Sequence, residues 1–231
     1  MVLKNSAKIN RMFSEIASSY DLLNRVLSGG VDRYWRKLGI RKLSPRNGLY
    51  LDLASGTCDF SLELRKQNIE SSIIATDFSS AMLEIARGKT VSKNITIVRG
   101  DALSLGFRNN SFDGITCAFG IRNFEKLETG LEEVLRVLKP GGKAVILEFT
   151  TPENPIIKSI YLFYFTKILP IIGRLISGHS EAYTYLPLSA VNFPNRKILA
   201  EIFSSVGFSD VTVTPLTFGI CDLIYAKKPT E

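Results

Sequence analysis

The chain has little of the chemistry that metal centres and disulfide frameworks need. Its 231 residues include one histidine, His179, and three cysteines, Cys58, Cys117 and Cys221. The cysteines are odd in number and scattered, with no C-x-x-C spacing. That argues against a disulfide framework or a zinc site and for a reducing, cytoplasmic compartment. A single histidine leaves no multi-histidine centre, so no metal is expected, and a histidine base would rest on that one residue. No G-x-G-x-x-G and no G-x-x-x-x-G-K-[ST] string occurs, which removes the usual backbone cradles for dinucleotides and nucleoside triphosphates. The opening MVLKNSAKINRMFSE has no apolar core of the kind a secretory signal carries.

What is present is LDLASGTCDF at 51–60, followed by Asp77. Leu49–Leu53 reads as a buried parallel strand that empties into a loop of small residues, Ala54, Ser55, Gly56 and Thr57, which let a ligand approach the backbone. In doubly wound sheets the ligand lies beyond the carboxyl ends of the strands, and an acid about 20 positions after the glycine turn takes the ribose hydroxyls. Asp77, closing SIIATD, fits that role. Asp52 and Asp59 flank Gly56, and carboxylates suit a cationic or zwitterionic adenosine compound better than a diphosphate. S-adenosylmethionine meets that description. RGDAL at 99–103 places Asp101 at the end of a third strand, able to accept from an adenine amino group. SFDGITCAFGIRNF at 111–124 gives a fourth strand ending near Ala118, with Gly120, Arg122 and Asn123 in the loop beyond it.

With 45% hydrophobic residues the chain can bury one good core. From Gly48 onward, strand-like runs alternate with helical patterns, which predicts an α/β fold. A Rossmann-like, mostly parallel seven-stranded sheet with an antiparallel edge and helices on both faces is expected. The expected division is an N-terminal helical lid over 1–47 and a catalytic domain over 48–231. In the lid, Ile9, Met12, Phe13, Ile16, Tyr20 and Leu23 recur at helical spacing. SSAMLEIARGK reads as a helix capped by a serine. DVTVT and CDLIYAK read as a closing antiparallel edge pair. An insertion at about 150–194 holds PIIKSIYLFYFTKILPIIGRLIS, apolar but interrupted by Lys158, Lys167, Pro170 and Arg174, so it is not expected to span a membrane. A break is expected at Pro170. Two readings stand side by side: a helical cover on the sheet edge, or a greasy wall for a long apolar substrate. The net charge of +7 favours anionic neighbours or solubility and chooses between neither.

Together YDLLNRVLSGGVDRYWR at 20–36, DLASGTCD at 52–59, ATDFSSAML at 75–83, GDAL at 100–103, FGIRNF at 119–124, EVLRVLKPGG at 133–142, LEFTTP at 147–152 and YTYLPLSAVNFP at 183–194 resemble the quinone-biosynthesis C-methyltransferases, which act on demethylmenaquinol or a polyprenyl-benzoquinol. The resemblance covers nearly the whole chain. Its FG-x-RN loop and YDLLN opening are its most particular features. It implies methyl transfer to a ring carbon of a prenylated quinol, with cofactor positions at Thr57, Asp77, Asp101 and Ala102. Arg122 is the implied catalytic cation, lowering the phenol pKa, and Asn123 orients the quinol oxygen. A salt bridge from Arg122 to Glu125 or Glu148 is the less favoured reading. Tyr20 and Tyr183 are candidate pocket walls. Peripheral contact with the inner face of the membrane and homodimerisation complete the expectations. Three residues depart from the family's pattern: Cys58, expected to crowd the cofactor's methionine end, Asp32 and Leu188.

Two rivals stand beside this reading. An RNA methyltransferase would show an N-P-P-Y loop or a Cys-Pro nucleophile after the fourth strand. That slot reads CAFGIRN, and no basic patch interleaved with aromatics is evident, so no nucleic-acid partner is expected. A noncatalytic scaffold would not need Asp77, Asp101 and Arg122 together.

Overall fold

In the computed structural model, residues 6–172 and 181–230 are described, except for the side chains of residues 6, 27 and 181–184. His179 and Arg174 lie outside the described residues. Three helices lead the chain, α1 Ser6–Ile16, α2 Tyr20–Ser28 and α3 Asp32–Leu43. The apolar periodicity from Ile9 to Leu23 is therefore not one helix: a 3₁₀ turn at Ala17–Ser19 divides it.

The sheet is built from β1 Leu49–Leu53, β2 Ser72–Asp77, β3 Ile95–Arg99, β4 Phe112–Ala118, β5 Leu138–Phe149, β6 Ser209–Leu216 and β7 Cys221–Lys227. Their order is β3-β2-β1-β4-β5-β7-β6. The first five are mutually parallel, and β7 runs antiparallel between β5 and β6, as the closing pair in the sequence predicts. The crossovers are α4 Asp59–Gln67, α5 Ser80–Thr90 and α6 Leu127–Val137, with α9 Arg196–Val206 before β6. Ser79 caps α5 by accepting from the Met82 amide. Residue alternation in β1 divides the core: Tyr50 joins the α3–α4 side with Trp35 and Leu64, while Leu51 and Leu53 join the α6–α9 side with Leu131 and Phe203.

The insertion holds α7 Pro155–Phe163, a π-helical turn at Tyr164–Ile168, and, after the undescribed residues, α8 Glu181–Val191. Pro170 does not break the run, which stays helical to Ile172. The wider π turn just ahead of it relieves the missing amide and the ring's contact with the carbonyl four residues back. Pro155–Ile172 is also long and apolar enough to cross a membrane by length and composition alone. Its buried stripe, Tyr161, Phe165 and Leu169, packs into the core, while Ile156, Ile160, Phe163 and Ile171 stay exposed.

Candidate active site

The strand order reverses between β1 and β4, and a crevice at such a switch point is where open α/β sheets bind ligands. A cleft of about 150 Å³ opens there, lined from β1 by Ala54 and Gly56, from β2 by Thr76 and Asp77, from β3 by Asp101 and Ala102, and from β4 by Ala118 and Gly120. Asn10, Phe13 and Tyr20 close it from the N-terminal helices, and Asn123 and Phe124 from beyond β4. Ala54 and Gly56 take left-handed backbone angles, with φ of 50° and 54°. Gly120 is dictated by space: a Cβ there would stand 2.6 Å from the Ala54 Cβ.

Asp77 organises the glycine loop. Its Oδ2 accepts from the Gly56 amide at 2.8 Å and its Oδ1 from the Ser79 amide at 2.8 Å. Burial raises its pKa, and those amides work against the shift. Thr76 Oγ1 and Asn10 Oδ1 belong to residues that line the cleft, are buried, and make no hydrogen bond among the described residues. Buried polar atoms without partners are uncommon. With the absence of side-chain bulk at Gly56, Ala102 and Ala118, they fit a polar nucleoside-like ligand.

A second, apolar cavity of about 40 Å³ adjoins the cleft at Phe13, Tyr20 and Phe119, and is lined by Met12, Leu23, Phe149, Tyr185 and Arg122. Arg122 lies in a 3₁₀ turn and is only 5% exposed. Its Nη1 donates to Glu148 Oε1 at 2.5 Å and to the Phe119 carbonyl at 2.7 Å, and its amide donates to Glu148 Oε2 at 3.0 Å. The less favoured salt bridge to Glu148 is thus formed, because the end of β5 delivers that carboxylate beside the loop after β4. Burial would lower the Arg122 pKa, but Glu148, with Tyr20 and Tyr185, holds it above the ordinary value. Among the described residues its Nε has no hydrogen-bond partner, and Nη2 forms none either. Asn123 sits between the two cavities: its amide donates to the Phe119 carbonyl at 3.3 Å and its Oδ1 accepts from the Tyr185 hydroxyl at 3.0 Å.

Gly56, Asp77, Asp101, Ala102, Ala118, Asn123 and Tyr20 therefore come together at the cleft, with Arg122 one cavity away. Asp52 and Thr57 do not line the cleft itself; they line a smaller cavity of about 20 Å³ that shares Tyr20, Ala54, Gly56 and Ala118 with it. Asp52 is fully buried and accepts from the Ser61 amide at 2.9 Å, the Ser61 hydroxyl at 2.5 Å and the Thr116 hydroxyl at 3.0 Å. It staples β1 to α4 and β4. Thr57 donates to Asp21 of α2 at 2.5 Å. The expectation that Cys58 crowds the cofactor is also corrected: its side chain is buried with Ala75 and Ala86, and burial pushes its thiol up to about 12. Asp32 is buried and paired with Arg25 and Arg36, and Leu188 is exposed. The side chain of Tyr183 lies outside the described residues. Tyr185, two positions on, lines the apolar cavity; the YTYLP string holds both tyrosines and does not say which one faces inward.

Thr57 belongs to an ion-pair network that ties α2 to the glycine loop. Lys89 of α5 donates to Asp21 and Asp59, each at 2.6 Å, and Arg25 of α2 reaches Asp59 at 2.7 Å. Burial works against ionisation of Asp59, yet Arg36, Lys89 and Arg25 together hold its pKa down to about 2.

The profile of the ubiE/COQ5 methyltransferase family matches residues 1–228 of this chain. A demethylmenaquinone methyltransferase of Bacteroides fragilis is 43% identical over 230 residues, 97% of this chain and 94% of that protein. The ubiquinone/menaquinone biosynthesis C-methyltransferase UbiE of Geobacter sulfurreducens is 43% identical over 227 residues, covering 96% and 88%. Among solved structures, phosphoethanolamine N-methyltransferase 2 of Haemonchus contortus in complex with S-adenosyl-L-methionine superposes with a TM-score of 0.63 at 17% identity, over 87% of this chain and 57% of that one. At that identity the likeness is one of fold.

Two stability outcomes follow from the buried acids. Asp52, with its pKa raised by burial from 3.8 to about 6, binds a proton more readily folded than unfolded. Its contribution is complete below pH 3.8 and is lost as pH rises through 6, amounting to about 3 kcal/mol. Asp52→Asn should remove that component from urea unfolding measured between pH 4 and 7; an unaltered pH profile contradicts it. Lys89→Met leaves Asp21 without its cation and Asp59 with Arg25 alone; both lost pairs being partly exposed, it should cost about 0.5–2 kcal/mol in the same assay at neutral pH. An unchanged midpoint would show that the network does not hold α2.

Proposed function

The chain belongs to the ubiE/COQ5 methyltransferase family, and we propose that it methylates a ring carbon of demethylmenaquinol, the reduced prenylated naphthoquinone. It is an S-adenosylmethionine-dependent C-methyltransferase of quinone biosynthesis. The naphthoquinol is preferred over a benzoquinol because both names carried by relatives at 43% identity include menaquinone, whereas only one includes ubiquinone. The observation that carries the acceptor reading is the apolar cavity behind the cleft, where a single buried guanidinium faces walls of Met12, Leu23 and Phe149.

S-adenosylmethionine supplies, when bound, an electrophilic methyl group on a sulfonium. The cleft residues would hold it: Asp77 taking the ribose hydroxyls, Gly56 leaving room for the ligand at the loop, and Asp101 with Ala102 meeting the adenine. Thr57 is proposed to act through the shape of the loop, and Asp52 through its staple to α4. Arg122 donates from Nε to the quinol oxygen and stabilises it as phenolate, which makes the adjacent ring carbon nucleophilic. Because Glu148 neutralises the guanidinium charge, that stabilisation comes from a directed hydrogen bond more than from net charge, a revision of the effect expected from an isolated arginine. Asn123, oriented by Tyr185, positions the same oxygen, and Tyr20 separates the two cavities. Holding carbon and methyl in contact supplies a large part of the rate, about 7–11 kcal/mol for well-aligned reactants.

A cavity of about 40 Å³ has room for little more than a water or two. Admission of a fused ring therefore requires α1 and α2 to move, and these helices act as the lid. The enzyme works in the cytoplasm against the inner face of the membrane, where its acceptor resides.

Deuterated-methyl S-adenosylmethionine and reduced 2-prenyl-1,4-naphthoquinone should give a product carrying the intact labelled methyl on the ring; a label on oxygen, or none, refutes the reading. Arg122→Lys keeps a cation beside Glu148 but removes the Nε donor, and should lower kcat by about 10²-fold with cofactor affinity unchanged by calorimetry. Full activity removes Arg122 from the mechanism. Asp77→Ala should weaken cofactor binding by about tenfold or more, one charge-assisted hydrogen bond contributing about 1.5–3 kcal/mol; unchanged affinity displaces the ribose from Asp77.

A further inference from the structure

A further cavity, of about 330 Å³, opens beyond the ends of β5 and β7 and shares no lining residue with the cleft or with the Arg122 cavity. Thr150 and Thr151 enter it from the chain after β5, Asp222 from the start of β7 and Arg196 from the start of α9, while Glu153 and Lys158 add exposed charges. Asp222 is fully buried. Its Oδ1 accepts from Arg196 Nε at 2.8 Å, and Arg196 Nη1 reaches Glu153 Oε1 at 2.7 Å. Among the described residues that guanidinium is the only ion-pair partner of either carboxylate, so two negative charges share one positive charge. Burial raises the Asp222 pKa, and Arg196 works against the shift without cancelling it. The second oxygen, Oδ2, is buried and has no hydrogen-bond partner among the described residues, and the same holds for Thr151 Oγ1. The neighbouring Thr150 hydroxyl donates its proton to the Gly219 carbonyl at 3.1 Å.

We propose that this cavity binds a small organic compound through a primary ammonium group, with Asp222 Oδ2 and Thr151 Oγ1 as the acceptors. Buried acceptors without partners require a donor, and a carboxylate whose charge is only shared requires a cation. A hard metal ion fits poorly, because it takes about six or more oxygen ligands and the guanidinium already lies between the two carboxylates. An ammonium carries three N–H donors, enough for both buried acceptors with one directed outward. The rest of the ligand meets hydrocarbon, since Pro152, Val191, Phe193 and Pro194 also line the cavity. The volume falls within the range of small-molecule sites, about 300–1,000 Å³.

The test titrates the isotope-labelled protein with butylamine and follows its amide resonances by NMR. The Thr151 and Asp222 amides should shift saturably. Butyltrimethylammonium, which keeps the charge and has no N–H donor, and butanol, which has no charge, should each bind about tenfold more weakly or worse. Asp222→Asn keeps the shape, removes the anionic acceptor and should lower butylamine affinity about tenfold or more. Because Asp222 is buried and paired, Thr151→Val serves as the second variant; it removes the other acceptor and should weaken binding about threefold or more. Folding of both variants is judged by S-adenosylhomocysteine affinity at the separate cleft. The absence of a saturable shift at these amides would mean that the cavity holds water only, and it overturns the proposal. An equal response to the quaternary compound, or unchanged affinity in folded Thr151→Val, overturns it as well.

Discussion

The Arg122–Glu148 ion pair fixes the part of the molecule where chemistry would occur. It is buried on both sides and ties the turn after β4 to the last residues of β5 through two hydrogen bonds, from the side chain and amide of Arg122 to Glu148; a third, from Arg122 to the Phe119 carbonyl, closes the turn on itself. Two charges removed from water repay their desolvation only when the geometry is good and remaining donors and acceptors are used. Here the carboxylate is also met by the Phe149 amide at 2.9 Å, while among the described residues Nε and Nη2 take no acceptor. With Asn24 Nδ2, likewise buried without a partner, the guanidinium gives the apolar cavity spare donors. The same pair fixes Phe119 and Phe149, whose stacked rings wall that cavity.

Around that fixed point the structure separates two kinds of binding. The cleft at the strand switch carries polar groups, Asp77, Asp101, Thr76 and Asn10, among apolar walls, and it is assembled largely from strand ends, so its shape depends on backbone held by the sheet. The cavity behind it is apolar and borrows walls from helices α1, α2 and α8, which lie outside the sheet. The ion-pair network of Asp21, Arg25, Asp59 and Lys89 fastens α2 to the loop that carries Gly56. In the proposed function, where α1 and α2 serve as the lid, their movement and the state of the glycine loop would therefore be linked, and an acceptor would enter by loosening partly exposed ion pairs, which are individually weak.

Much of this is legible in the sequence. The strands appear as short apolar runs, and Asp77 as an acid closing one of them, because parallel strands are local and their ends coincide with the ligand crevice. The pairing of Arg122 is not, since Glu148 lies 26 residues off and reaches it only through the register of β4 on β5. The partners of Asp52 and Thr57 are not legible either: residues alternate along β1, so Asp52 shares the face of Tyr50, toward α4, where Ser61 waits, and Thr57 meets Asp21 of α2. Tyr185 escapes notice because helical facing, not residue type, distinguishes it from Tyr183. Pro170 reads as a breaker by its chemistry, yet a π turn absorbs it.

The claim most exposed to refutation is that the spare Nε of Arg122 anchors the acceptor. A crystal structure of the protein with S-adenosylhomocysteine and a reduced 2-prenyl-1,4-naphthoquinone addresses it directly. The account requires a quinol oxygen within about 3 Å of that nitrogen while Glu148 keeps its hold on Nη1. A ring bound elsewhere, with Nε facing only hydrocarbon or water, contradicts it.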